Sequence, residues 1–318
     1  MKTRKAKIFF FSLLAIVLVV ITVWIIIPLA QERSECISLG NEWMALLKNH
    51  PVFSARATGY PVDVKYYYAE ATDDSLKKLR DIYDLETVAG QGSEIDQIIN
   101  LMSWVYRLAE HANEPAIPTK RNAFSFIRMA QIEHKQINCY MKTVILNEVY
   151  LSMGFYSRRT HLLPHSHEER ESHFITSVYS HTLDKWILMD PDFGVYVADE
   201  KGNILGVMEI RRRLIAGEPL NTIHTDRSGF TEAWANLRNF IEGADYRWFL
   251  SDFIFKIRCP RNSMFNQDSK PIREFFELIP DGYQEELLQE PKMTNKGKKI
   301  FFINDEGLFW QKPMDSSS

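Results

Sequence analysis

Ile95, Ile98, Ile99, Met102 and Val105 repeat with a period near 3.6, and Ser93 stands just before them as an N-cap. The spacing predicts a helix from that point, with Trp104 and Leu108 widening its buried face. Residues 34–132 read mainly as helices. A second helix is expected from Cys139 to about Met153, capped by Asn138, with Met141, Val144, Ile145 and Val149 on one face and Gly154 ending it. The pattern then changes to short runs rich in β-branched and aromatic residues: Phe155–Leu163, His173–Ser180, Trp186–Met189 and Val195–Ala198. Pro164–Ser172 is polar and reads as a loop, and Leu183-Asp184-Lys185 as part of a turn. Helices followed by antiparallel strands make an α+β fold.

Past residue 205 the pattern is sparser. Glu209–Ile215 reads as a helix with Glu209 and Arg213 at i,i+4. Thr231–Ile241 reads as another, with Trp234, Leu237 and Ile241 on one face. Ile300–Ile303 and Leu308–Trp310 flank Asn304-Asp305-Glu306-Gly307, the pattern of a hairpin.

The N-terminus follows a different rule. Ile8 to Ala30 carries no charge, and a 23-residue helix spans roughly 34 Å, enough for a hydrocarbon core of about 30 Å. Lys2, Arg4, Lys5 and Lys7 precede it, which predicts a cytoplasmic N-terminus and an extracytoplasmic remainder. A cleaved signal peptide is the rival, but the run is long and Pro28-Leu29-Ala30 is a poor cleavage site. The expected division is a basic tail (1–7), a transmembrane anchor (8–30), a folded domain (34–205, core 93–198) and a C-terminal extension (206–318).

Composition narrows the function classes. With 45% hydrophobic and 25% charged residues in 318, the chain has the makings of a folded core. The net charge is −3, and the four basic residues near the start leave −7 on the rest, the wrong sign for a nucleic-acid partner. Cys36 and Cys259 could pair and leave Cys139 free; three unpaired thiols is the equal alternative. His165, His167 and His173 with Glu168, Glu169 and Glu171 could hold zinc. That stretch lacks the helical H-E-x-x-H spacing and starts at Pro164, so it is read as a solvated loop. No acidic cluster resembles a calcium loop. No cofactor is expected.

Cys139, His173 and Asp190 carry the candidate chemistry. A cysteine attacks as its thiolate, which a helix N-terminus and an adjacent imidazolium both favour. The imidazole can then protonate a leaving group, and a carboxylate on its other nitrogen fixes its tautomer. His173, Ile175, Ser177 and Tyr179 share one strand face, as do Trp186, Leu188 and Asp190 on the next. A hairpin of the two can set imidazole and carboxylate side by side.

These residues resemble the core of the transglutaminase-like superfamily of papain-like cysteine enzymes. The likeness covers residues 138–198, with Asn138-Cys139-Tyr140, Gly154-Phe155-Tyr156-Ser157-Arg158, His173-Phe174-Ile175 and Trp186-Ile187-Leu188-Met189-Asp190-Pro191. Leu101 and Trp104-Val105 resemble the helix before the family's cysteine. The resemblance implies a papain-like/transglutaminase-like core, N-terminal helices packed on an antiparallel sheet, preceded here by one transmembrane helix. Cys139 would be nucleophile, His173 general base and acid, and Asp190 orienter. Gln131, Gln136 or the Cys139 N–H would serve the oxyanion. The implied activity is an extracytoplasmic acyl transfer on peptide or side-chain amides through a thioester, hydrolysis ahead of crosslinking. Two departures stand out: Asn138 before the cysteine, and bulky Phe174 after the histidine, where it would narrow the substrate approach. The alternative is an inactive binding or scaffolding module on the same fold.

Overall fold

The computed structural model describes residues 38, 40–166, 172–225 and 246–313. After a helical stretch at 40–49 and a short strand β1 (Tyr67–Tyr68), helices gather in the first half. These are α1 (Asp74–Ile82), α2 (Leu85–Ala89), α3 (Glu94–Tyr106), α4 (Ala123–Gln131) and α5 (Cys139–Ser152). Ser93 closes a capping box with Asp96 at the start of α3. Asn138 accepts a hydrogen bond from the Met141 N–H at the start of α5. Gly154, at φ +85°, supplies the left-handed turn by which the chain leaves α5 for the sheet.

The strands β2 (Ser157–Leu163), β3 (His173–Ser180), β4 (Lys185–Asp190) and β5 (Val195–Ala198) follow. Then come α6 (Val207–Ala216), β6 (Asn221–His224), α7 (Tyr246–Phe253), β7 (Lys256–Pro260) and β8 (Asn262–Ser263). The chain closes with β9 (Arg273–Leu278), β10 (Lys292–Met293), β11 (Lys298–Ile303) and α8 (Glu306–Phe309). Nine strands form one sheet in the order β10-β11-β9-β7-β2-β3-β4-β5-β6. Strand alternation splits the core across its faces. Val178, Ile187 and Met189 pack with α3, α4 and α5, whereas Ile175, Leu188 and Leu162 pack with α6, α7 and the later strands.

The sheet is mixed, not antiparallel. β11 runs parallel to β9, because segment 279–297 carries the chain back to the starting end of β9. Such a crossover needs a dozen or more residues, and this one has them. The transmembrane helix is also withdrawn from the fold: no helix among the described residues is long and apolar enough to cross a membrane. Residues 8–30, where it was expected, lie outside the described residues, as do Cys36 and the helix expected at Thr231–Ile241.

Smaller differences have local causes. The segment after Asn304 is a one-turn helix instead of a second hairpin strand. Asp305 caps it by accepting from the Leu308 N–H, and Phe309 is fully buried. Glu209 and Arg213 share α6 without pairing. Glu209 meets Lys185 and the Gly206 N–H, and Arg213 turns to Glu200, Asp199 and Glu218.

Candidate active site

Asp190 ends β4 with no exposure to solvent, and all its acceptor capacity is used. Oδ2 accepts from His173 Nε2 at 2.7 Å and from Tyr246 Oη at 2.8 Å. Oδ1 accepts the N–H groups of Asp192 (2.9 Å) and Phe193 (3.2 Å) as the chain turns after β4. A buried carboxylate requires such partners, and here they also fix its direction. In the β3–β4 register Ser177 faces Leu188 and Tyr179 faces Trp186. His173 therefore stands just beyond the end of β4, diagonal to Asp190 on the same face.

With Nε2 committed to Asp190, the other ring nitrogen of His173 is left for Cys139 at the first position of α5. The Cys139 sulfur, a His173 ring nitrogen and an Asp192 carboxylate oxygen all lie within 4.8 Å of one another. The structure thus gathers the three residues singled out in the sequence. Burial alone would drive the proton off His173. The Asp190 charge and hydrogen bond, with the Cys139 thiol behind them, hold its pKa well above the ordinary value. Cys139 is partly exposed, so the sulfur is reachable. The first-turn N–H groups of Cys139 and Tyr140 have no acceptor inside the helix, and they sit beside the sulfur where an oxyanion would form. Gln136 Nε2 is engaged with Glu110 at 3.1 Å, and Gln131 is exposed.

Phe174 points away from this chemistry. Its ring stacks on His161, centroids 3.9 Å apart and planes at 4°, and meets Tyr140 edge-on. The ring that faces His173 edge-on is instead Phe249 of α7 at 4.9 Å, with Phe193 at 5.5 Å.

Four further residues belong to the site without having been singled out from sequence: Tyr246, Asp192, Lys142 and His111. Asp192 is buried between His111 Nδ1 (2.8 Å) and Lys142 Nζ (3.2 Å). Burial raises its pKa, but the His111 hydrogen bond and the Lys142 charge overcome this and hold it below the ordinary value. His111 is shifted up in return, chiefly by that hydrogen bond. Lys142 carried a readable signal. It is a charged residue in an apolar helix, three positions after Cys139, and a buried lysine demands an anion. Tyr246 and His111 carried none, since one comes from the start of α7 and the other from the segment after α3, both far in sequence from β3 and β4.

The motif residues Arg158 and Trp186 serve the scaffold. Arg158 is fully buried without a carboxylate. Its guanidinium lies 3.6 Å from the Tyr66 ring centroid and 4.0 Å from that of Trp186, and it donates to Tyr68 Oη and the carbonyls of Phe309 and Gln311. Trp186 Nε1 also donates to the Gln311 carbonyl, so β2 and β4 are tied to the chain's C-terminal segment. Of the histidine- and glutamate-rich loop, His167, Glu168, Glu169 and Glu171 lie outside the described residues. His165 packs against Phe255 and Tyr283, and His173 turns to Asp190.

Comparison with protein-family models, curated proteins and solved structures finds no match.

Proposed function

We propose that the protein is a cysteine acyl-transfer enzyme that hydrolyses peptide or side-chain amide bonds. One observation carries this reading: the Cys139 sulfur lies within 4.8 Å of a ring nitrogen of a buried imidazole whose Nε2 is held by the Asp190 carboxylate. The resemblance of residues 138–198 to the transglutaminase-like core supports the same roles.

In this reading the Cys139 sulfur attacks the amide carbon, and the carbonyl π electrons move to oxygen near the first-turn N–H groups of α5. As the C–N bond breaks, the proton on His173 passes to the departing amine, leaving a thioester on Cys139. Water then attacks the thioester carbon and gives a proton to His173. The C–S bond breaks, releasing a carboxylic acid and restoring the starting pair. Asp190 holds the ring in one orientation and stabilises its charge throughout. Hydrolysis is favoured over crosslinking because water needs no second binding site.

The test is acylation by an activated ester such as a p-nitrophenyl ester, read by intact-protein and peptide mass spectrometry. One acyl group on Cys139, removed by hydroxylamine and slowed by His173→Ala, is the expected result. Acylation elsewhere, or at Cys139 at a rate indifferent to His173, would overturn the reading and favour a binding module.

A further inference from the structure

The proposed reaction uses Cys139, His173 and Asp190 and leaves Asp192 without a role. Asp192 nevertheless points a carboxylate oxygen into the same few ångströms as the sulfur and the imidazole. The residue is nine-tenths buried, and its Oδ1 accepts no hydrogen bond although Lys142 Nζ lies 3.2 Å away. Lys142 meets this oxygen as an ion pair without a directed hydrogen bond, so its lone pairs have capacity for a further ligand contact.

We propose that Cys139, His173 and Asp192 form a binding site for a thiophilic divalent cation, zinc above all. The donor set is one thiolate, one imidazole and one carboxylate, a combination zinc accepts with a fourth position open. Zinc bonds of about 2.0–2.3 Å in a tetrahedron put ligand atoms roughly 3.5 Å apart. The three donors lie within 4.8 Å of one another, so binding requires them to draw together by about an ångström, and Cys139 is the most exposed of them. Calcium and magnesium prefer all-oxygen shells and do not fit this set.

The surroundings are those of a supported metal site. His173 is oriented from behind by Asp190 through Nε2, the arrangement that aims a ligating histidine. Asp192 is held by His111 Nδ1 at 2.8 Å. Lys142 offsets the negative charge of the thiolate and carboxylate while the site is free of metal. On coordination the one proton of the Cys139–His173 pair leaves the imidazole for solvent, freeing the ring nitrogen to ligate, and the sulfur lone pair that would attack an amide goes to the metal. Bound zinc therefore blocks the proposed reaction reversibly, and removing it restores the nucleophile.

The test uses the full chain, stripped with a chelator, and two readouts independent of activity. Zinc is titrated against a chromophoric chelator, and cobalt(II) is added to look for the near-ultraviolet thiolate-to-metal band. The expected result is one zinc per chain and a cobalt band, both lost in Cys139→Ser and in wild type alkylated at Cys139. Asp192→Asn should weaken zinc binding by at least about tenfold. The alkylated sample keeps the test decisive should Cys139→Ser misfold. Zinc binding and a cobalt band that survive alkylation of Cys139, or no binding at all, overturn the proposal.

The two readings fail separately. Ester turnover without zinc binding leaves the enzyme and removes the metal site. Zinc binding without acylation of Cys139 leaves the metal site and removes the enzyme.

Discussion

Cys259 lies within β7 with no solvent exposure, its sulfur 3.5 Å from Thr160 Oγ1. Burial pushes that thiol up to about 11 against the lowering influence of Arg158 and the Thr160 hydrogen bond. Cys139 begins α5 instead, partly open, with a charged imidazole on one side and backbone N–H groups on the other. The same side chain is filler in one place and poised in the other. What differs is the set of neighbours around each sulfur and whether a reagent can reach it. Cys259 is thus an internal control for every statement made about Cys139.

The sharpest break of this comparison is to delete one thiol. Cys139→Ala should lower ester turnover by about a thousandfold or more while leaving the far-UV circular dichroism unchanged, as removal of an attacking nucleophile does. Cys259→Ala should do the reverse, costing about 2 kcal/mol of stability in urea unfolding with turnover kept. Comparable turnover in both variants would erase the distinction.

A second, smaller effect isolates the charge on the imidazole. His173→Ala should slow iodoacetamide labelling of Cys139 at pH 6 by about a hundredfold, toward the rate of an isolated thiol. Peptide mass spectrometry separates this site from Cys259, which should stay unlabelled in the folded protein.

Arg158 sharpens the comparison from the other side. It lies in the same resembling segment as the trio, yet its contacts are all to the scaffold. Arg158→Ala should cost about 3 kcal/mol in urea unfolding by breaking a buried cation's network. Below the new midpoint, Cys139 labelling should keep its His173 dependence. A selective loss of that dependence would move Arg158 into the site.

Glu148 sets the smallest expected effect and guards the pH series. It sits in α5 with the nucleophile, accepting the N–H groups of Ala123 (2.7 Å) and Asn266 (2.8 Å). Burial pushes its carboxyl up to about 8 from 4.5, against those two hydrogen bonds. Between these values the folded state binds more protons than the unfolded one, so stability falls as pH rises through that window. The melting temperature should drop by a few degrees from pH 5 to pH 9, and Glu148→Gln should flatten the slope. The labelling series at pH 5 to pH 7 lies inside this window, so rates are compared well below the melting temperature at every pH.

The sequence carried the local part of this picture. Asn138, Cys139 and the apolar spacing behind them state a capped helix. The alternation in 173–180 and 186–190 states two strands whose shared face holds His173 and Asp190. Nothing in a local pattern states what crosses from far away. Tyr246 reaches Asp190 from α7, and His111 reaches Asp192 from the loop after α3. The parallel pairing of β11 with β9 was hidden for the same reason, since strand direction depends on the route of the connection. The expected hairpin at 300–310 shows a subtler limit. Asn-Asp-Glu-Gly serves a turn or a helix start equally well, and the burial of Phe309 beside Tyr66 decides for the helix. Phe174 reads from sequence as narrowing the approach, but its stacking partner His161 sits across the register on the neighbouring strand, which no local pattern states.

In the proposed mechanism His173 sets Cys139 apart from an ordinary thiol. The most direct measurement is the iodoacetamide labelling rate of Cys139 between pH 5 and pH 7 in wild type, His173→Ala and Asp190→Asn. Wild type should label fast down to pH 5.5, His173→Ala should fall steeply with decreasing pH, and Asp190→Asn should give an intermediate profile. Three coincident profiles, each rising tenfold per pH unit as a free thiol does, would contradict that mechanism.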